Sequence, residues 1–269
     1  MDNIGEHKMI PYFLRIAYVG SNFFGWQFQT RARSVQGDLW EAIKVFDPCA
    51  PMPTGTSRTD SGVHAKAQGA LIHLQKEWDT YRLLAAINAH LPWDIRIMAA
   101  QQAPKGFFPR AHATTKQYVY RIQEGPTKDP FLHQRKWHIF GSLPLNRINI
   151  SAAASYLVGF HDFSSFRNHE CTATSTHRNL YRIALEEGPT GFNIIFEGDR
   201  FLMHMVRIIT GTLVEVGKGR YIASDIPSIL AAKDRSKAGI TAPPHGLYLE
   251  QVWYQKHWGI GEPSPWPKQ

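Results

Sequence analysis

The sequence contains few cysteines and no long apolar run. Two cysteines, Cys49 and Cys171, are present in 269 residues, and they provide neither a disulfide framework nor a zinc-type pair, which favours a reducing compartment. The stretch Met1–Ile10 lacks the apolar core of a signal peptide. No apolar run reaches the roughly 18 residues of a membrane helix. These absences predict a cytoplasmic protein without a membrane partner.

Signatures of several common chemistries are also missing. There is no Walker loop, no dinucleotide-binding glycine fingerprint and no CxxC pair, so nothing supports nucleotide, dinucleotide or metal-dependent chemistry. His64 and His204 do not belong to a cluster with metal-ligand spacing, and we interpret both as structural or RNA-contacting residues. The sequence therefore predicts a function that uses neither a cofactor nor a metal ion.

Acidic residues are absent from residues 95–123, in a chain whose formal net charge is +8. Cations and aromatic residues alternate in this stretch: Arg96, Lys105, Phe107, Phe108, Arg110, Lys116, Tyr118, Tyr120 and Arg121. Cations hold phosphates and aromatic faces stack on bases, so the pairing suits RNA with exposed bases. Taken by itself, the stretch is explained about equally well by basic residues that face solvent and aromatic residues that pack in the core.

A second basic stretch covers residues 163–185. It carries three arginines and two histidines against one acidic residue, Glu170. The same two interpretations apply to it. From the two stretches together we predict that RNA is contacted by Arg110, Lys116 and Arg178.

Hydrophobic periodicity predicts alternating strands and helices throughout the chain. In the first half they are Tyr12–Tyr18, Ser34–Phe46, Gln68–Leu74, Thr80–His90 and Ile95–Met98. In the second half they are Lys116–Ile122, Ile148–Phe160, Tyr181–Leu185, Phe192–Glu197, Phe201–Val216, Asp225–Ala232 and Leu247–Tyr254.

This order predicts an α+β fold, an α/β sandwich of two ferredoxin-like (split βαβ) halves. We expect a largely antiparallel sheet with helices on one face and an active-site cleft between the halves. The expected domains are 1–105, with an aspartate motif, and 106–257, with a tyrosine strand and an arginine helix. A loose tail, 258–269, follows them.

The stretch Arg58–Lys66 places one carboxylate, Asp60, beside an arginine and ahead of a glycine turn. A neighbouring cation favours the ionised form of a carboxylate, and a turn can bring it to the surface. Taken without context, an ordinary turn is the favoured interpretation. The balance shifts because Arg207 lies in a mostly apolar predicted helix, where an arginine needs solvent or a carboxylate partner. Asp60 is a candidate partner, although periodicity supports a solvent-facing Arg207 about equally well.

Two further features of the sequence indicate where a functional site could lie. Gly211 in mid-helix costs about 1 kcal/mol relative to alanine, which predicts that another backbone or a ligand approaches closely there. Tyr118 and Tyr120 point to the same side of their predicted strand. One of them could stack on a base while the other packs, and alternation does not decide which; for a pair taken at random, burial of both in the core is the favoured interpretation.

A series of short motifs carries a family resemblance. In chain order they are Tyr18-Val19-Gly20, Gly25-Trp26-Gln27, Val35-Gln36-Gly37, Arg58-Thr59-Asp60-Ser61-Gly62-Val63-His64-Ala65, Asn88-Ala89-His90-Leu91-Pro92, Phe108-Pro109-Arg110, Tyr118-Val119-Tyr120, Gly159-Phe160-His161-Asp162-Phe163, Phe201-Leu202-Met203-His204-Met205-Val206-Arg207 and Gly246-Leu247-Tyr248-Leu249. With these motifs the chain resembles the TruA family of tRNA pseudouridine synthases over nearly its whole length. The string around Asp60 is highly specific.

The resemblance implies isomerisation of uridine to pseudouridine at positions 38, 39 and 40 in the anticodon arm of tRNA, without a cofactor. It implies that Asp60 is the catalytic nucleophile on a flipped-out uridine and that Arg58 helps to extrude the base or occupies its place in the stack. Tyr118 would stack against the target uracil, and Arg207 would pair with the catalytic carboxylate. The resemblance also implies a homodimer whose two basic clefts share one tRNA.

Three departures from the family pattern stand out. Ser61 replaces the usual alanine, Pro109 lies where a small residue is commoner, and the loop 167–178 is individual to this chain. Two alternatives remain open: a synthase of the same fold that acts on another RNA, and a tRNA-binding protein without catalysis. The complete set of Arg58, Asp60, Tyr118 and Arg207 argues against the second.

Overall fold

The computed structural model describes residues 9–261, which divide into two compact units. The first unit comprises residues 9–114 and 252–261, and the second comprises residues 115–251. These boundaries differ from the predicted domains because the chain returns to the first unit after residue 251. Within the predicted tail, Ile260 is 2% exposed and the Trp258 ring stacks on His112 at 4.3 Å. Residues 262–269 of that tail lie outside the described residues.

The first unit is built on antiparallel strands. Its elements are β1 (Ile10–Tyr18), α1 (Val35–Lys44), β2 (Thr54–Gly55), β3 (His64–Leu74), α2 (Thr80–His90), β4 (Ile95–Gln102) and the short α3 (Pro109–His112). The strand order is β4-β1-β3, β2 pairs with β3, and all these pairings are antiparallel. Strand β1 has a neighbour on both sides, and its residues Leu14 and Ile16 are fully buried whereas Arg15 between them is exposed.

Helices α1 and α2 each begin at a capping side chain. Ser34 Oγ accepts a hydrogen bond from Gly37 N at 3.2 Å, and Asp79 Oδ1 accepts one from Arg82 N at 2.9 Å. Each cap satisfies a backbone donor that the first helical turn leaves without a partner. Buried apolar residues then recur at helical spacing: Val35, Leu39, Ala42 and Ile43 in α1, and Leu83 and Ile87 in α2. Both predicted helices are confirmed.

The second unit has the same mixed composition. Its elements are β5 (Ala113–Glu124), β6 (Trp137–Ile139), α4 (Arg147–Ser155), β7 (Gly159–Asp162), β8 (His177–Gly188), β9 (Gly191–Gly198), α5 (Met205–Gly217), α6 (Asp225–Ala232) and β10 (Leu247–Tyr254). Strands β5-β9-β8-β7 are antiparallel neighbours, and β6 runs parallel to β5. The first two residues of β5 and the last three residues of β10 belong to the first unit. The predicted α+β fold with a largely antiparallel sheet is confirmed.

Two predicted boundaries move because of local backbone conformation. Strand β3 begins at His64 rather than at Gln68, so the strand follows directly on the turn that carries the aspartate motif. The helix predicted to reach Phe160 ends at Ser155. Gly159 takes φ +111°, outside the helical region, and starts strand β7 instead.

Helix α5 also starts later than predicted, at Met205 rather than at Phe201. His204 directly before it takes φ +61°, a left-handed conformation that cannot continue a right-handed helix. Its ring atom Nδ1 lies 2.8 Å from Asn168 Nδ2 and forms a hydrogen bond with it. The motif around Arg207 is therefore a turn followed by a helix.

Gly211 in the middle of α5 lies against another backbone, as its position predicted. A Cβ atom built at Gly211 would stand 1.8 Å from the Ile240 carbonyl oxygen, well inside the contact distance. The segment 238–242 is also tied to the helix by Gly239 N, which donates to Thr212 Oγ1 at 2.9 Å. A glycine is therefore required where this segment passes α5.

Each unit buries its own set of apolar side chains. Those of the first unit include Leu14, Ile16, Leu39, Ile43, Ile72, Leu83, Ile87 and Ile95. Those of the second unit include Tyr120, Ile122, Ile150, Leu157, Phe163, Phe166, Ile194, Phe196, Ile208 and Leu213. Within residues 9–261, no helix combines the length and the apolar character that crossing a membrane requires.

The close approach at Gly211 predicts a large stability effect. Gly211→Ala should lower the free energy of unfolding by at least about 2–3 kcal/mol, because the helix or the segment 238–242 must move. Gly141→Ala is the control, since its Cβ would lie 3.6 Å from the Leu143 carbonyl oxygen, an ordinary contact. Denaturant unfolding compares the two variants, and equal stability would contradict the close approach.

Candidate functional site

Asp60 lies at the start of a turn between β2 and β3. Val63 N donates to the Asp60 carbonyl oxygen at 3.2 Å, and Gly62 takes φ +78°, which the third residue of a type II turn requires. Asp60 is half-buried, whereas Arg58 and Ser61 are exposed. The turn therefore presents a single carboxylate that is neither enclosed in the core nor fully in solvent.

Thr59, directly before Asp60, is held at both its side chain and its carbonyl group. The Tyr18 hydroxyl and Thr59 Oγ1 share a hydrogen bond of 2.7 Å, and Trp26 N donates to the Thr59 carbonyl oxygen at 3.1 Å. Tyr18, Trp26 and Thr59 are all buried. Water does not compete for buried hydrogen bonds of this kind, so they fix the backbone on one side of Asp60.

The loop between β1 and α1, residues 19–34, is called the N-terminal loop here. Two of its glycines let it pass directly beside the Asp60 turn. A Cβ atom at Gly20 would stand 1.9 Å from the Val63 carbonyl oxygen, and one at Gly25 would stand 2.6 Å from the Thr59 carbonyl oxygen. Gly25 also takes φ +90°, which disfavours any larger residue. A side chain at either position would displace the turn.

Two side chains of β3 support the turn from the other side. His64, which is 1% exposed, accepts a hydrogen bond from Gly20 N at its Nδ1 atom, at 3.0 Å. Ser57 N donates to Gln68 Oε1 at 3.2 Å, and Gln68 Nε2 donates back to the Ser57 carbonyl oxygen at 2.6 Å. Of the two interpretations of His64, its burial favours the structural one.

A bidentate ion pair anchors the N-terminal loop, which contacts the Asp60 turn. Arg33 donates to both carboxylate oxygens of Asp94 at 2.8 Å, and its guanidinium carbon lies 4.2 Å from the centre of the Phe23 ring. The Phe23 carbonyl oxygen in turn accepts from Gly62 N at 3.1 Å. Burial acts to raise the pKa of Asp94, but the hydrogen bonds and the charge of Arg33 outweigh it and lower this pKa.

The two tyrosines of β5 have different surroundings. Tyr120 is completely buried and its hydroxyl donates to the Pro243 carbonyl oxygen at 2.7 Å. Burial raises the pKa of Tyr120 well above its ordinary value. The Tyr118 ring, 6% exposed, meets Phe201 edge to face with 5.1 Å between ring centres. Both tyrosines are therefore buried, and Tyr120 is the more completely enclosed of the two.

Arg207 on α5 is half-buried and is held by the segment 238–242. Its Nε donates to the Ala242 carbonyl oxygen at 2.8 Å, and its own carbonyl oxygen accepts from Ala242 N at 3.1 Å. Its positive charge also reaches Tyr120, where it opposes the rise in pKa that burial causes. The guanidinium is thus positioned by main-chain contacts within its own unit.

The remaining predicted RNA contacts differ in exposure. Arg110 on α3 is exposed, whereas Lys116 on β5 is 9% exposed. Arg178 on β8 is half-buried and donates to the His177 carbonyl oxygen at 2.6 Å, and burial lowers its pKa. The first unit carries Arg58, Asp60 and Arg110, and the second carries Lys116, Tyr118, Arg178 and Arg207.

The residues that brace the Asp60 turn were not identified from sequence patterns. Tyr18, Gly20 and Gly25 stand in motifs whose physical role the sequence does not disclose, and Gln68 stands in none. Their hydrogen bonds join residues far apart in the chain, which leaves no periodic signal. In the part of the chain that the structure describes, no group of three or more His, Cys, Asp or Glu side chains could hold a metal ion.

Comparison with known proteins points to one family. A family model described as tRNA pseudouridine synthase matches residues 153–255. The tRNA pseudouridine synthase A of Thermoanaerobacter sp. (strain X514) is 41% identical over 239 residues, which cover 89% of this chain and 97% of that protein. The tRNA pseudouridine synthase A 1 of Protochlamydia amoebophila is 39% identical over 252 residues, with 92% and 98% covered.

Among solved structures, a chain of a Cbf5-Nop10-Gar1 complex aligns with 88% of this chain and 57% of its own length. The identity is 10% and the TM-score is 0.34. A similarity of this size does not show a shared fold.

The Asp94 ion pair predicts a pH-dependent contribution to stability. The pKa of Asp94 is lower in the folded protein, so its carboxylate stabilises the fold above the ordinary aspartate pKa of about 4 and loses this effect as the pH falls through the lowered value. Asp94→Asn should therefore be about 1–3 kcal/mol less stable than the unsubstituted protein at pH 7, with a smaller difference near pH 2. Denaturant unfolding at both pH values measures it. Asp79→Asn is the control, because asparagine also caps a helix. If the stability difference between Asp94→Asn and the unsubstituted protein does not change with pH, the lowered pKa of Asp94 is contradicted.

Proposed function

The chain belongs to the tRNA pseudouridine synthase A family and is an isomerase that acts on uridine in tRNA, and we propose that it converts uridines 38, 39 and 40 of the anticodon arm with Asp60 as the nucleophile. The motif around Asp60 supports the choice of nucleophile. The alignments cover 97% and 98% of the two relatives, so the chain matches them over nearly their full length.

The bracing of the Asp60 turn is the observation that carries this proposal. A nucleophile must be held near its attack position, because a misplacement of about 1 Å can cost about 100-fold in rate. The bonds of Tyr18 and Trp26 to Thr59, and of Gly62 to Phe23, hold the backbone next to Asp60. An ordinary surface turn does not need buried partners on both sides.

The chemistry suits a single carboxylate. Uracil is linked to ribose through N1 in uridine and through C5 in pseudouridine, so the N1–C1′ bond breaks and a C5–C1′ bond forms. The proton on C5 is lost and N1 gains one, and no atom is added overall. In the proposed mechanism Asp60 adds to the sugar or the base and is released again when the new bond forms. Because no sugar leaves, the second carboxylate of a glycosidase is not needed.

The remaining site residues receive roles by the same proposal. The target uridine must leave the stack of the anticodon arm at a cost of a few kcal/mol, and Arg58 helps to extrude it. Tyr118 stacks against the uracil, since Tyr120 is committed to the core by its bond to Pro243. Arg207 pairs with the catalytic carboxylate.

The wider setting is also part of the proposal. Arg110, Lys116 and Arg178 contact the tRNA backbone, and the exposed Arg110 does so most readily. The protein acts as a homodimer in the cytoplasm and uses no cofactor. Another RNA as the natural substrate is the alternative, which differs from the main proposal in where pseudouridine is found.

Pseudouridine mapping tests both the nucleophile and the sites. In a strain that lacks this protein, the unsubstituted chain should restore pseudouridine at tRNA positions 38, 39 and 40, and Asp60→Asn should not, because an amide is a poor nucleophile. The purified variant should lose at least about 10³-fold in turnover but bind tRNA within about threefold. Asp79→Asn is the matched control and should restore modification. Restoration by Asp60→Asn would remove the nucleophile role, and pseudouridine restored only in another RNA would favour the alternative.

The hydroxyl of Tyr18 provides a test of the bracing itself. Tyr18→Phe should lower kcat about 3- to 10-fold with little change in KM, because the turn loses one anchor while the RNA contacts stay. Thr59→Val removes the other end of the same hydrogen bond, and Thr59→Ser keeps it. The double variant Tyr18→Phe/Thr59→Val should be no worse than either single variant. Independent, multiplying losses would show that this bond does not position Asp60.

A further inference from the structure

An exposed aromatic side chain stands in the connection between β5 and β6 of the second unit. Phe131 is 90% exposed, more than any other large hydrophobic side chain in residues 9–261. It belongs to a short 3₁₀ turn, Pro130–Leu132. A single exposed ring is ordinary on a protein surface, so it indicates a contact site only together with a fixed backbone and a complementary charge around it.

This connection is tightly structured around the ring. Asp129 caps the turn, since its Oδ1 accepts from Phe131 N at 2.8 Å. His133 N donates to the Pro130 carbonyl oxygen at 3.2 Å. Gln134 takes φ +53°, a left-handed conformation that is uncommon for a residue other than glycine. The exposed position of Phe131 is thus imposed by its surroundings.

The residues that follow the turn anchor it to the second unit. The Tyr248 hydroxyl donates to the Arg135 carbonyl oxygen at 2.9 Å, and Lys136 Nζ donates to Thr190 Oγ1 at 3.1 Å. The side chain of His245 hydrogen-bonds to the backbone of Lys136. A loop anchored in this way loses little conformational entropy when it binds a partner, which favours recognition.

Positive charge converges on the same region. His245 has a lowered pKa, firstly because it is buried and then because Lys128, His133 and Arg207 lie near it. Lys136 is likewise influenced by Arg121. The acidic residues that offset these cations are Asp129, which caps the turn, and Glu250, which pairs with Arg121 at 3.4 Å. The remaining excess of positive charge favours an anionic partner.

We propose that residues 128–136, the β5–β6 loop, form an RNA-contact surface in which Phe131 stacks on an unpaired base of the substrate tRNA. Lys128 and His133 contact the phosphates on either side of that base. Aromatic rings stack on any base and cations hold the backbone, a combination typical of single-stranded RNA recognition. A second copy of this chain fits less well, because it also carries a formal net charge of +8. The inference depends on tRNA being the substrate and is independent of the role of Asp60.

Binding of tRNA at several salt concentrations tests the two kinds of contact separately. Phe131→Ala should weaken tRNA binding about 5- to 100-fold, the usual range for one lost base stack. It should leave unchanged the slope of log Kd against log salt concentration, because no phosphate contact is lost. Lys128→Ala should instead reduce that slope by about 0.7–1, because one phosphate contact is lost. Phe131→Tyr should bind as the unsubstituted protein does, since it keeps the ring.

Phe140→Ala is the matched control. Phe140 is 71% exposed in the same unit, and no Lys or Arg lies within three residues of it, so tRNA binding should not change. The proposal is overturned if Phe131→Ala binds tRNA as Phe140→Ala does. It is also overturned if Phe131→Ala changes the oligomeric state in sedimentation, because the ring then lies between two copies. Neither tRNA binding nor sedimentation requires turnover, so these results hold whether or not Asp60 is the nucleophile.

Discussion

The passage of the N-terminal loop against the Asp60 turn is the constraint on which the proposed chemistry depends. Gly20 and Gly25 allow the two backbones to approach at distances that no Cβ atom permits, and the buried bonds of Tyr18 and Trp26 to Thr59 use that approach. A half-buried carboxylate is costly to hold in one place by its own side chain. Here buried hydrogen bonds fix the neighbouring backbone, so the position of the carboxylate does not depend on its own side chain alone.

The second unit positions its charged residue by a similar device. Gly211 lets the segment 238–242 lie against α5, and Ala242 of that segment bonds to both the side chain and the backbone of Arg207. In each unit a glycine opens the space, a second stretch of chain fills it, and the bonds so formed fix a charged residue. Main-chain contacts of this kind are more rigid than contacts between long side chains, and they require a glycine at the point where the two stretches of chain meet.

Local signals predicted much of the fold. Helix α2 was predicted at about Thr80–His90 from its apolar residues at helical spacing, and the structure has it at these bounds. Errors arose where one residue takes an unusual conformation: the positive φ of Gly159 prevents a predicted helix from reaching Phe160, and the left-handed His204 delays the start of another. No periodic pattern reports a φ angle, so these boundaries could not be predicted.

The candidate site was predicted only in part. The turn at Asp60 and the close approach at Gly211 follow from residue type alone. The complete burial of Tyr120 in β5 could not be predicted, because its hydroxyl donates to the carbonyl oxygen of Pro243, which lies 123 residues further along the chain. The hydrogen bond between the side chains of Tyr18 and Thr59 could not be predicted for the same reason, since these residues are 41 positions apart in the chain.

The central claim is that the carboxylate of Asp60 carries out the bond exchange at the uridine. Its most direct test is the release of hydrogen from C5 in a single turnover, with tRNA labelled at C5 of uridine and excess Asp60→Asn protein. The account predicts that the variant binds all the tRNA and releases no label above background, while the unsubstituted protein releases it fully. Release by Asp60→Asn at the rate of the unsubstituted protein would contradict the account.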